Sequence, residues 1–155
     1  MRTILASTLL LAACGGGGST TPDAEVINCA TETRADTFVV GLEKAGDAGK
    51  LDFKLISADP APPARNDNTW VVQVNAMASG VVGAPVDGAT LSVTPFMPDH
   101  QHGAGKTVIV APATAPGQYT LTPINMWMPG LWETTIDAAS ASGNDSVVFR
   151  FCIPS

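Results

Sequence analysis

Hydrophobic and polar positions alternate in short runs through most of the chain. Leu51, Phe53 and Leu55 alternate with Asp52, Lys54 and Ile56, and Trp70, Val72 and Val74 alternate with Val71, Gln73 and Asn75. The pattern returns in Leu91-Ser92-Val93-Thr94, in Tyr119 with Leu121, and in Val147, Phe149 and Phe151 with Val148 and Arg150. Successive side chains of a strand point to opposite faces, so a period of two predicts strands with one buried face. The segment Thr37 to Leu42 reads as a further outer strand, and no window of a dozen residues carries a helical face. Breakers separate the runs. Asp59 to Pro63 opens a proline-rich loop that continues to Asp67, Gly83 to Gly88 is a loop, and Ala115-Pro116-Gly117 and Gly143-Asn144-Asp145 are turns. Gly117-Gln118-Tyr119 is expected to start a strand beside the one that ends in Met126 to Gly130. Gly130 then permits a tight turn, and Trp132 returns into the core. Six to eight short strands with regularly spaced turns predict an all-β fold, an immunoglobulin-like β-sandwich of about seven short strands.

The first residues follow a different pattern. Met1-Arg2-Thr3 is a short positive start, and Ile4 to Ala13 is apolar with small residues near its end. A permanent transmembrane helix needs about 20 apolar residues, so residues 1–13 are expected to be a secretory signal peptide. Leu11-Ala12-Ala13-Cys14 resembles the lipobox of bacterial lipoproteins, which implies cleavage before Cys14 and a lipid on its thiol. Residues 14–24, rich in Gly, Ser and Thr, are expected to be a flexible tether, with a single domain over 25–155. Gly15 after the lipidated Cys resembles the pattern of lipoproteins sent to the outer membrane. The expected location is therefore the cell envelope, lipid-anchored at the outer membrane and facing the periplasm.

Composition narrows the possibilities. The 155 residues fit one domain of modest core. Eight Lys and Arg against 14 Asp and Glu give a net charge of −6, which repels phosphate backbones and argues against a nucleic-acid partner. Of three cysteines, one is spent if Cys14 is acylated, leaving Cys29 and Cys152 near the two ends of the folded region. In an oxidising compartment they are expected to form a structural disulfide. The alternative, a redox-active or metal-binding thiol pair, lacks the close CxxC spacing of such sites.

Both histidines fall in Met97-Pro98-Asp99-His100-Gln101-His102-Gly103. Three of the four methionines after the first residue lie here or in Asn125-Met126-Trp127-Met128-Pro129-Gly130. In extended chain, residues i and i+2 share a side, so His100 with His102, and Met126 with Met128, are placed to converge on one ion. Imidazole suits Cu(II) and thioether selects Cu(I), so Met97, His100, His102, Met126 and Met128 form a candidate copper set for either oxidation state. Zinc is a further occupant, although two His and one carboxylate normally show better-defined spacing. The bland alternatives stay open at this point. Met126 and Met128 suit core packing equally well, and the imidazoles can serve as hydrogen-bond partners of the loop backbone or Asp99. No nucleophile elbow, no Cys beside a His and no phosphate-cradling loop is present, so an enzyme is not expected.

These stretches also carry a resemblance. Asn68 to Val74, Gly88 to Val93, Met97 to Gly103, Gly117-Gln118-Tyr119 and Met126 to Glu133, in that order, resemble the landmarks of YtkA-like domains, relatives of FixH. The likeness covers roughly residues 50 to 138. It implies an extracytoplasmic immunoglobulin-like domain connected with copper handling or respiratory-oxidase assembly, with a copper-handling partner or a membrane complex as its target. Met97, His100, His102 and Met128 fall on the family's landmarks, while Asp99 and Gln101 depart from them. The rival expectation is a metal-free interaction module that docks on a membrane complex.

Overall fold

The computed structural model describes residues 27–155. The expected signal peptide, Cys14 and the tether lie outside the described residues. Ten strands follow in order: β1 (Glu43–Ala45), β2 (Leu51–Asp59), β3 (Asn66–Ala78), β4 (Val81–Pro85), β5 (Thr90–Met97), β6 (His102–Gly103), β7 (Ile109–Pro112), β8 (Gln118–Met126), β9 (Gly130–Ser140) and β10 (Gly143–Ile153). Among the described residues the only helical element is a single 3-10 turn, Cys29–Thr31. The first sheet runs β1-β2-β3-β8-β7, with β4 paired to the far part of β3, and the second runs β10-β9-β5-β6. All pairings are antiparallel. The fold is all-β, two antiparallel sheets forming a sandwich, as the alternation predicts.

The alternating positions are the ones that meet between the sheets. Leu51, Phe53 and Leu55 of β2, Trp70, Val72 and Val74 of β3, and Val147, Phe149 and Phe151 of β10 are all buried. Trp70 crosses the interior to meet Phe149 and Phe151 edge-on, at ring-centroid distances of 6.2 and 5.4 Å. Each such aromatic pair adds about 0.5–1.5 kcal/mol to the burial of its area. Loops are fastened by side chains that satisfy their backbone. The Tyr119 hydroxyl donates to the Val86 carbonyl and accepts from the Ala89 N–H, both at 2.8 Å, which pins the β4–β5 connection to β8.

Three expectations are corrected. Thr37 to Leu42 is not a strand, because Gly41 takes a left-handed φ of 86° and the Leu42 N–H turns back to the Val39 carbonyl. Regular pairing starts only at Glu43. The stretch Gly83 to Gly88 is not loop throughout, since Val81–Pro85 pairs with β3 as β4. The segments around Tyr119 and Met126 are not two neighbouring strands, because β8 runs from one to the other without a break.

Cys29 and Cys152 are joined as a disulfide with Cα atoms 5.5 Å apart. Beyond it the chain stays laced to β10. The Asp36 N–H donates to the Arg150 carbonyl and the Arg150 N–H donates back to the Asp36 carboxylate, both at 2.8 Å. Residues 29–36 are thereby held along the edge of the second sheet, with Arg34 between the two fastenings.

Candidate metal centre

β5 ends at Met97, reverses through Pro98 to Gln101 and returns as β6. Gln101 supplies the reversal with a φ of 55°, and its side-chain amide donates to the Pro98 carbonyl. Met97 and His102 are direct partners across this short hairpin. Side chains of directly opposed residues leave the same face, about 4.5–5.5 Å apart at Cβ. That face is the inner one: Met97 is 1% exposed, and its terminal methyl lies where a Cβ on Gly130 would sit. Gly130 has a φ of 124°, a backbone geometry that L side chains avoid, so glycine serves both the turn and the packing there.

His102 is half-buried at the sheet edge beside Met97's strand. Its Nδ1 lies 3.1 Å from the Gly103 carbonyl, an acceptor that in the neutral ring favours the tautomer with the proton on Nδ1 and the lone pair on Nε2. Nε2 is buried and has no hydrogen-bond partner. The ring stacks on Trp127 at 5.2 Å with 25° between planes, and meets Trp132 edge-on at 5.9 Å. Trp132 is fully buried and donates from Nε1 to the Met128 carbonyl at 2.9 Å, while Trp127 is 43% exposed and forms the roof. His100 is exposed on the turn, its ring 5.9 Å from that of His102.

The structure thus brings Met97, His100 and His102 to the corner formed by residues 127–132. Met128 stands in that corner, half-buried against the core. Met126 is the last residue of β8, and its side chain lies wholly within the hydrophobic core. Among the described residues no group of three or more His, Cys, Asp and Glu is placed to hold a metal ion. The donor types that Met97, His100, His102 and Met128 bring to this corner are thioether sulfur and imidazole nitrogen.

One ion pair holds the histidine turn, and another ties the segment after β6 to β3. Arg34 grips both oxygens of Asp99, at 2.7 and 2.8 Å, while Lys106 grips Asp67 at the start of β3. The Arg34 guanidinium holds the Asp99 carboxyl below the usual carboxylate range, and Lys106, helped by Asn125, does the same for Asp67.

The YtkA-like family model matches residues 46–137, from the turn before β2 into β9, and so spans the whole of this corner except Arg34. The chain belongs to the YtkA-like family. Among solved structures, this YtkA-like chain is similar to a copper-bound variant of FetP from uropathogenic Escherichia coli. The two share 14% identity with a TM-score of 0.48, over 73% of this chain and 94% of that one. No curated protein matches the YtkA-like chain significantly in sequence.

Some residues of the YtkA-like corner escaped the sequence reading. Trp127 had a usable signal: in extended chain, inward Met126 and Met128 put the residue between them on the outer face. Trp132 was read as core, which it is, but not as a neighbour of His102. Arg34 had no signal, since its partner Asp99 is 65 positions away.

Proposed function

We propose that this domain binds copper or assists its handling, through the corner built from Met97, His100, His102 and Met128, with Met126 as the buried residue behind it. The observation that carries this reading is the Nε2 atom of His102. A buried ring nitrogen with no partner costs free energy that a bound ion would offset. Met97 stands opposite His102 across the hairpin and the His100 ring lies 5.9 Å from it, and thioether and imidazole are donors that suit copper in both oxidation states. The protein is read as a binding or delivery module without catalytic activity. Its proposed setting is the cell envelope, lipid-anchored through Cys14 at the outer membrane and facing the periplasm, where it would meet a copper-handling partner or an oxidase under assembly.

Copper titration of the purified protein tests the reading. One stoichiometric site is expected, strongly weakened in the His100→Ala/His102→Ala double variant. Affinity unchanged by that double substitution would place copper elsewhere and defeat it.

The exposed face of Trp127 favours a second reading, a metal-independent docking module for a membrane complex. It predicts a membrane partner whose recovery from detergent extracts depends on Trp127 and is indifferent to both histidines.

A further inference from the structure

The turn that bears His100 and His102 contains one carboxylate, Asp99. Two imidazoles with an adjacent carboxylate would give a borderline or hard divalent ion such as Zn(II) or Cu(II) a third ligand at the same turn. In this protein that carboxylate is already committed. Arg34 Nη1 donates to Asp99 Oδ1 at 2.7 Å and Nη2 to Oδ2 at 2.8 Å, a two-pronged contact that covers both oxygens.

Arg34 is itself held from behind. Its Nε donates to Glu32 Oε1 at 2.9 Å and its Nη2 to Glu32 Oε2 at 2.6 Å, and its backbone N–H donates to Glu32 Oε1 at 2.8 Å. The segment that carries it is fastened on one side by the Cys29–Cys152 disulfide and on the other by the paired contacts of Asp36 with Arg150. The fork is therefore presented to Asp99 by the backbone and does not rest on the side chains alone. The ion pair stands in solvent, with half of the Arg34 side chain and 45% of Asp99 exposed, so it adds little to folding. Its consequence lies in what it withholds from the neighbouring histidines.

With Asp99 occupied, the donors left at the corner are imidazole nitrogen and thioether sulfur. Trp127 and Trp132 line His102 on two sides and bring no hard oxygen donor to it. Accepting the copper reading above, we propose that Arg34 is a specificity-determining residue: by holding the Asp99 carboxylate it leaves a nitrogen and sulfur set that takes Cu(I) in preference to Cu(II) or Zn(II). Arg34 touches no ion. It acts through Asp99 alone.

The test compares ions on the wild-type protein, on Arg34→Ala, and on Arg34→Ala/Asp99→Asn. Cu(I) is measured anaerobically against a chromophoric chelator, Ag(I) serves as its redox-inert counterpart, and Cu(II) and Zn(II) are measured by calorimetry. The wild type is expected to bind Cu(I) and Ag(I) more tightly than either divalent ion. Arg34→Ala is expected to strengthen Cu(II) and Zn(II) binding by about tenfold, the gain of about 1.4 kcal/mol that a freed carboxylate ligand would bring, while leaving Ag(I) unchanged. The added Asp99→Asn should abolish that gain and again leave Ag(I) unchanged. A fall in all four affinities together in Arg34→Ala would mean a merely structural role and overturn the proposal, as would divalent binding that does not change. Wild-type preference for Cu(II) over Cu(I) overturns it while leaving the copper reading intact, whereas no binding of any of the four ions defeats the copper reading itself.

Discussion

The imidazole of His102 lies stacked on the indole of Trp127, ring centroids 5.2 Å apart and planes inclined by 25°. His102 belongs to β6 at the edge of the second sheet, and Trp127 follows β8 of the first. Their contact closes one end of the sandwich, where residues 127–129 carry the chain from one sheet to the other. An ion on the free nitrogen of His102 would sit beside that indole, and the fluorescence of the protein is expected to report it. Ag(I) titration should quench tryptophan emission in the wild type, and Trp127→Phe should remove most of the quenching while leaving the affinity measured by competition. Full quenching in Trp127→Phe would place the ion elsewhere.

Met97 combines packing with proposed ligation, and the two roles separate by substitution. Met97→Leu keeps volume and polarity, so it is expected to cost less than about 1.5 kcal/mol of stability yet to lower Cu(I) affinity through loss of the sulfur. Met97→Ala should cost about 2–5 kcal/mol through the cavity it leaves. Chemical denaturation beside chelator competition measures both. Unchanged Cu(I) affinity in Met97→Leu would remove Met97 from the ligand set.

Gly130 is the second fixed point of the corner. A Cβ there meets the Met97 methyl, at a backbone φ of 124°. Gly130→Ala is therefore expected to lower stability by about 1–3 kcal/mol, a typical cost of overpacking, and to displace the thioether. Thermal unfolding and ion titration of the variant should both fall short of the wild type.

Asp145 of β10 fastens the turn between β1 and β2. Burial pushes its carboxyl up, but N–H donors from Ala48, Leu51, Lys50 and Ser146, at 2.7–2.9 Å, outweigh burial and hold it below the usual range. A carboxyl depressed in the folded state contributes stability above its unfolded value and loses it as the pH falls through the folded one. Asp145→Asn is expected to cost roughly 1.5–3 kcal/mol at neutral pH, on the scale of hydrogen bonds to a charged group. The gap to the wild type should narrow as the pH falls below about 4, the ordinary value for aspartate. Urea denaturation at pH 7 and at pH 3 checks it, and a gap of equal size at both would refute the assignment.

The disulfide closes a loop of 123 residues of separation. On the chain-entropy view, its removal by Cys29→Ser/Cys152→Ser should cost about 4–5 kcal/mol. The same variant frees one fastening of the segment that carries Arg34, so its divalent-ion affinity is expected to move toward that of Arg34→Ala. Denaturation and Zn(II) calorimetry on one preparation read both effects.

Much of the fold was legible because it depends on neighbours in the chain. Phe53 and Phe149 announce buried faces through the polar residues on either side of them, and both are fully buried. Thr37 to Leu42 misled for the complementary reason: its residues suit a strand, but the backbone turns at Gly41, and only Gly41 and Leu42 reach β2. The segments around Tyr119 and Met126 read as two neighbouring strands, yet β8 runs through both, Pro123 included. At the site, proximity along the chain brought His100, His102 and Met97 to notice but gave no way to tell Met126, sealed in the core, from Met128, which is only half covered.

The amino-acid sequence by itself determined the alternating strands of the core, the face each one buries and the pair of cysteines available to each other, because alternation and residue type act over a few bonds. Tertiary structure alone decided that His102 lies under Trp127, that its Nε2 is left without a partner, and that Arg34 reaches the carboxylate beside His100. Those relations join residues 25 and 65 positions apart. They depend on how two twisted sheets close at one end, which no short stretch of the chain encodes.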